Sequence, residues 1–93
     1  MNGNEKQKRA IYARCMDTDD LDMLVLARAL TRSGRARTLR EDAGLSLADV
    51  ASGVGASRVT IHRWEHGTHA PRAEAAVKYG RLLAHLARSQ ALA

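Results

Sequence analysis

The chain has 93 residues, no Phe and one Pro, with 15 Lys+Arg against 10 Asp+Glu and a formal net charge of +5. A chain this short buries only about 60–65% of the surface that its unfolded form exposes. That allows one compact core and excludes a cofactor enzyme with a separate substrate lobe. The single cysteine, Cys15, excludes an internal disulfide and a Cys-based zinc site. No apolar run reaches membrane-spanning length and no signal-peptide core precedes the first charges, so a soluble, cytoplasmic protein is expected.

Residues 1–4 offer nothing apolar to anchor them, and from Glu5 to Met16 only a weak helical pattern appears, with Ile11 and Cys15 four apart. Asp17-Thr18-Asp19 reads as a break followed by a cap. The spacing predicts a helix over 20–32, its acids Asp19, Asp20 and Asp22 at the positive end and Arg28 and Arg32 at the negative end. That helix is apolar around most of its circumference, from Leu21 through Leu30. Core and dimer seam are equal readings of this surface, with Leu24 on the seam if there is one.

Ser33-Gly34 is a stop signal, and a helix over 35–43 is closed by Gly44. Ser46 with Asp49 three residues on is a capping-box pattern, and Leu47, Val50, Ala51 and Val54 then form one buried stripe. Gly55 supplies the next stop, and Ser57 can cap a fourth helix that ends before Gly67. Thr68-His69-Ala70-Pro71 reads as a loop, and a last helix over 72–89 carries Ala76, Val77, Gly80, Leu83, Ala84 and Ala87 on one broad face. The expected fold class is all-α.

Charge is unevenly spread. Before residue 31 it cancels, while from Thr31 onward ten cations face five anions, so the whole excess lies in the C-terminal two-thirds. Twelve of the fifteen cations are Arg, the side chain suited to bidentate contacts with phosphate and base edges. Nucleic acid is the commonest partner of such a surface, although charge alone also fits a solvated face.

On the fourth helix, a step of about 100° per residue places Ile61, Trp64 and Glu65 on one side. Val59, His62, Arg63 and His66 fall on the other, with Arg58 in the first turn. The outer side is cationic and polar, without an acid. It suits a DNA major groove: Arg for guanine O6 and N7, Val for a thymine methyl, Ser57 and Thr60 for phosphate. The string His62-Arg63-Trp64-Glu65-His66 also matches the H-x-x-E-H pattern of inverted zinc peptidases. A five-residue match is weak, however, and the chain is too short for a substrate cleft. No catalytic residue, metal or cofactor is assigned, and the protein is expected not to be an enzyme.

Leu39-Arg40, Gly44-Leu45-Ser46, Ala48-Asp49-Val50-Ala51, Val54-Gly55-Ala56-Ser57, Thr60 through Gly67, and Pro71 together resemble the lambda-repressor/Cro-like (XRE-like) helix-turn-helix domains. With flanking helices the resemblance covers about 35–86. It implies a five-helix DNA-binding domain over 34–90, acting as a dimer on paired half-sites. Residues 1–33 lie outside the pattern and are read as a helical extension for dimerisation or DNA-backbone contact. The resemblance further implies that 47–54 is the positioning helix and 57–66 the recognition helix. Arg58, Val59 and Arg63 would read bases, with Ser57, Thr60, His62 and His66 near bases or phosphates. Arg37, Thr68 and His69 are further expected DNA contacts. Arg40 and Glu65 match the positions of an internal ion pair in the family. Leu47 departs from the pattern, which commonly has a phosphate-touching Gln there.

The function implied is sequence-specific binding of a double-stranded operator by a transcriptional regulator, a repressor of the phage-repressor type. The alternative is a protein-interaction module, such as an antitoxin that autoregulates through the same helices and grips a partner through residues 5–32.

Overall fold

The computed structural model describes residues 16–92, and among these it contains five α-helices and no strand. They are α1 (Thr18–Ser33), α2 (Arg35–Asp42), α3 (Leu47–Val54), α4 (Arg58–Glu65) and α5 (Ala73–Leu92). The all-α expectation holds. Except for Met16, the weak helical pattern from Glu5, and Cys15 with it, falls outside the described residues.

Local chemistry sets the helix ends. The Asp17 carboxylate accepts the Asp20 N–H at 2.8 Å and starts α1 two residues before the expected boundary. Before α3, Ser46 Oγ accepts the Asp49 N–H and the Asp49 carboxylate accepts the Ser46 N–H, both at 2.9 Å, satisfying two otherwise unpaired donors. Hydrogen bonding by Ser46, its backbone N–H first, holds the Asp49 carboxyl below the usual carboxylate range. Gly55 ends α3 at φ +76°, a conformation that costs a side-chain-bearing residue about 1 kcal/mol or more. The chain can therefore turn within Gly55-Ala56-Ser57 and start α4, capped by Ser57 Oγ accepting the Thr60 N–H at 3.1 Å.

From residue 34 onward there are four helices, and the count of five includes α1. The last stretch runs as one helix of 20 residues because no proline or capping residue divides it after Pro71. Its Gly80 is where α1 crosses: a Cβ there would lie 2.1 Å from the carbonyl oxygen of Met23. Only glycine allows the two backbones to come this close.

A single cluster joins every helix. Leu24 and Ala27 of α1 meet Ala36 and Leu39 of α2, Val50, Ala51 and Val54 of α3, Ile61 and Trp64 of α4, and Tyr79 and Leu83 of α5. Trp64 and Tyr79 pack with ring centroids 5.2 Å apart. The core thus assigns one side of α1 and corrects one expectation. Leu24 is buried by its own chain and cannot form a seam, whereas Leu21 and Val25 stay 48% and 65% exposed. Leu47 is half-buried against the same core.

Candidate nucleic-acid interface

Two helices joined by a three-residue turn place α4 at the surface, held from below by the cluster and from the side by one ion pair. Arg40 of α2 donates from Nε and Nη2 to the two Glu65 carboxylate oxygens, at 2.5 and 3.0 Å. Its third contact, Nη1 to the Leu45 carbonyl at 2.9 Å, ties down the turn between α2 and α3. The fork therefore braces α2, the start of the helix pair and the end of α4 at once. The hydrogen bond to Glu65 raises the Arg40 pKa still further, so the guanidinium keeps its charge.

The inner side of α4 is closed: Ile61 is 0% exposed, and Trp64 and Glu65 are buried with it. The outer side is open. Val59 is 54% exposed despite being apolar, and Arg58, His62, Arg63 and His66 are exposed around it. The outer side carries no carboxylate, because the one acid of α4 faces inward. His62 and His66 stack, ring centroids 4.0 Å apart, and His66 Nδ1 lies 2.9 Å from the His62 carbonyl oxygen. This pairing gives the end of α4 a flat polar surface beside Arg63.

The other expected residues are less uniform. Ser57 Oγ and Thr60 Oγ1 share a hydrogen bond of 2.8 Å, so both hydroxyls are partly engaged at the helix start, and Thr60 is half-buried. Thr68 and His69 lie in the loop after α4, exposed, their N–H groups directed to the Arg63 carbonyl at 3.0 and 3.5 Å. Arg37 sits apart on α2, in an exposed ion pair with Glu41 at 3.3 Å. Glu65 is occupied by Arg40, which removes the general base that the H-x-x-E-H pattern would need. Among the described residues no group of three His, Cys, Asp or Glu could hold a metal ion.

Arg28 and Arg72 are the residues near this surface that sequence reasoning missed. Arg28 Nε of α1 donates to the Pro71 carbonyl at 2.8 Å and fastens α1 to the loop after α4. Arg72 follows that proline, exposed. No motif marks either; only the packing of α1 brings Arg28 to the loop.

The comparison with known families agrees with this geometry. A family model described as a helix-turn-helix domain matches residues 33–92, more than half of the chain. The chain belongs to the helix-turn-helix domain family. Neither a curated protein nor a solved structure matches it. In this helix-turn-helix domain α3 and α4 are the paired helices, and the family is one of DNA-binding domains. The match begins at Ser33, so α1 lies almost entirely before it, although its Leu24 and Ala27 belong to the same core. Among the described residues no helix is long and apolar enough to cross a membrane.

Proposed function

We propose that the protein is a sequence-specific regulator of transcription, a repressor of the phage-repressor type, that lays α4 in the major groove of an operator. One observation carries this reading: the exposed side of α4 joins Arg58, Val59 and Arg63 without an acid, while Ile61, Trp64 and Glu65 are buried behind it. Arg58 and Arg63 read guanine edges, Val59 packs on a thymine methyl, and His62 and His66 contact bases or the flanking strand. Ser57, Thr60, Thr68 and His69 contact phosphate and fix register, with Arg37 as an outlying backbone contact. Net charge brings the domain to the duplex, and occupancy of an operator that overlaps a promoter excludes polymerase.

The exposed Leu21 and Val25 on α1 support a protein contact through the N-terminal region. In the favoured reading this is a homodimer, which sets half-sites about one helical turn apart, roughly 34 Å. In the second reading the same surface grips a different protein, as in an antitoxin, and DNA binding serves autoregulation. Selection of bound sequences from a random duplex pool tests the proposal. An enriched palindrome supports it; an absence of duplex binding overturns it. A stoichiometric partner that co-purifies and covers α1 favours the second reading.

A further inference from the structure

Beside α4 lies a groove of about 620 Å³ with an unusual lining. Arg28 comes from α1, Arg63 and Thr60 from α4, His69 from the loop, and Arg72 from the residue before α5. Among the described residues no carboxylate lines it. Glu74, the acid of the first turn of α5, is not part of the wall. Among the described residues none of these three arginines has a carboxylate partner, whereas Arg37, Arg40 and Arg81 each have one. Three guanidinium groups around one concavity repel one another and concentrate positive potential in it.

We propose that this groove is a phosphate-binding site built jointly by α1 and the helix-turn-helix unit. Arg28 is half-buried and held by its Nε–H on the Pro71 carbonyl, which presets the guanidinium while its Nη donors stay available. Arg63 and Arg72 add two planar forks, and Thr60 adds a hydroxyl. Guanidinium forks match the oxygen spacing of a phosphate, and either adjacent phosphates of a backbone or the linked phosphates of a free compound offer anionic oxygens to several forks across the groove. The first-turn residues Ala73 and Ala75 line the same wall, so the positive end of α5 adds to the field.

The phosphate can belong to a duplex backbone or to a free phosphate compound. The first source rests on the DNA-binding reading and extends its footprint to α1; the second is independent of it. Arg63 belongs both to the groove and to the outer side of α4, so a free phosphate compound in the groove would compete with base reading.

The full chain is tested in two arms, with Arg72→Ala as the main variant because Arg72 is exposed and outside the core. Arg28→Ala is the second variant, with a thermal melt as a fold control. In the duplex arm, a backbone site makes Arg72→Ala weaken selected and unrelated duplexes by the same factor. It also reduces the salt-dependence slope by about 1. In the free-phosphate arm, inorganic pyrophosphate shifts the Arg28, Arg63 and Arg72 side-chain Nε–Hε NMR signals saturably, and Arg72→Ala weakens that binding at least several-fold. Either result supports the site and identifies the source. An unchanged salt slope together with no pyrophosphate response overturns it. If the protein bound no duplex, the DNA reading would fail and the pyrophosphate arm alone would decide the groove.

Discussion

Glu65 is the one acid of α4, and Arg40, 25 residues earlier in the chain, takes both of its oxygens. The side chains are 11% and 1% exposed, so the Glu65 carboxylate is closed to water and the Arg40 side chain largely shielded from it. The pair withdraws the one negative charge of α4 from its exposed side and locks the end of α4 against α2. Glu65→Ala leaves Arg40 unpaired and should destabilise the fold by about 3 kcal/mol. Chemical denaturation measures this, and a stability equal to wild type would show that the pair contributes nothing.

The crossing of α1 over α5 depends on Gly80. A methyl group there meets the Met23 carbonyl rather than a movable side chain, so Gly80→Ala should cost about 1–3 kcal/mol or more. Gly53 is the internal control. It lies in α3 with open space around its Cβ position, and Gly53→Ala should stabilise by about 0.5–1 kcal/mol through helix propensity. Opposite signs in the two melts are expected.

Tyr79 packs its ring on Trp64, and its hydroxyl has no hydrogen-bond partner among the described residues. Burial pushes the Tyr79 pKa well above its ordinary value. As pH rises past about 10, the unfolded chain therefore loses this proton while the folded one keeps it, and stability falls. Tyr79→Phe removes that alkaline loss and, by deleting an unpaired buried group, should stabilise by about 1 kcal/mol at neutral pH. Urea titrations at pH 7 and above pH 10 give both quantities; a Phe variant with the wild-type alkaline slope would contradict the assignment.

On the acid side, Asp49 is held ionised by Ser46. Its contribution to the start of α3 is present above the ordinary carboxylate range and is lost as pH falls through its lowered folded-state pKa. Asp49→Asn keeps an acceptor for the Ser46 N–H but cannot titrate, so its melting temperature should fall less steeply with acid than that of wild type.

Much of this architecture is legible locally. The Ser46–Asp49 box, the Ser57 cap and the Gly55 turn each follow from a few adjacent residues, and those residues bound α3 and α4. The inward placement of Ile61, Trp64 and Glu65 follows from the helical repeat alone. By contrast, α1 is apolar on too many sides for its pattern to say which side is covered. Only the approach of α5 at Gly80 decides that Leu24 is inside and that Leu21 and Val25 are outside. Arg28 was legible only as a cation near a helix C-terminus. Its place beside Arg63 and Arg72 depends on a hydrogen bond to Pro71, 43 residues away, which no local pattern encodes.

The central claim is that the outer side of α4 reads sequence, and Arg63 is the residue at its middle. The most direct measurement is the affinity of Arg63→Ala and of wild type for a selected duplex and an unrelated one at one fixed salt concentration. The account predicts a loss of about 1–3 kcal/mol on the selected duplex and a much smaller loss on the unrelated one. An equal loss on both would contradict base reading by Arg63 and reduce its part to backbone attraction.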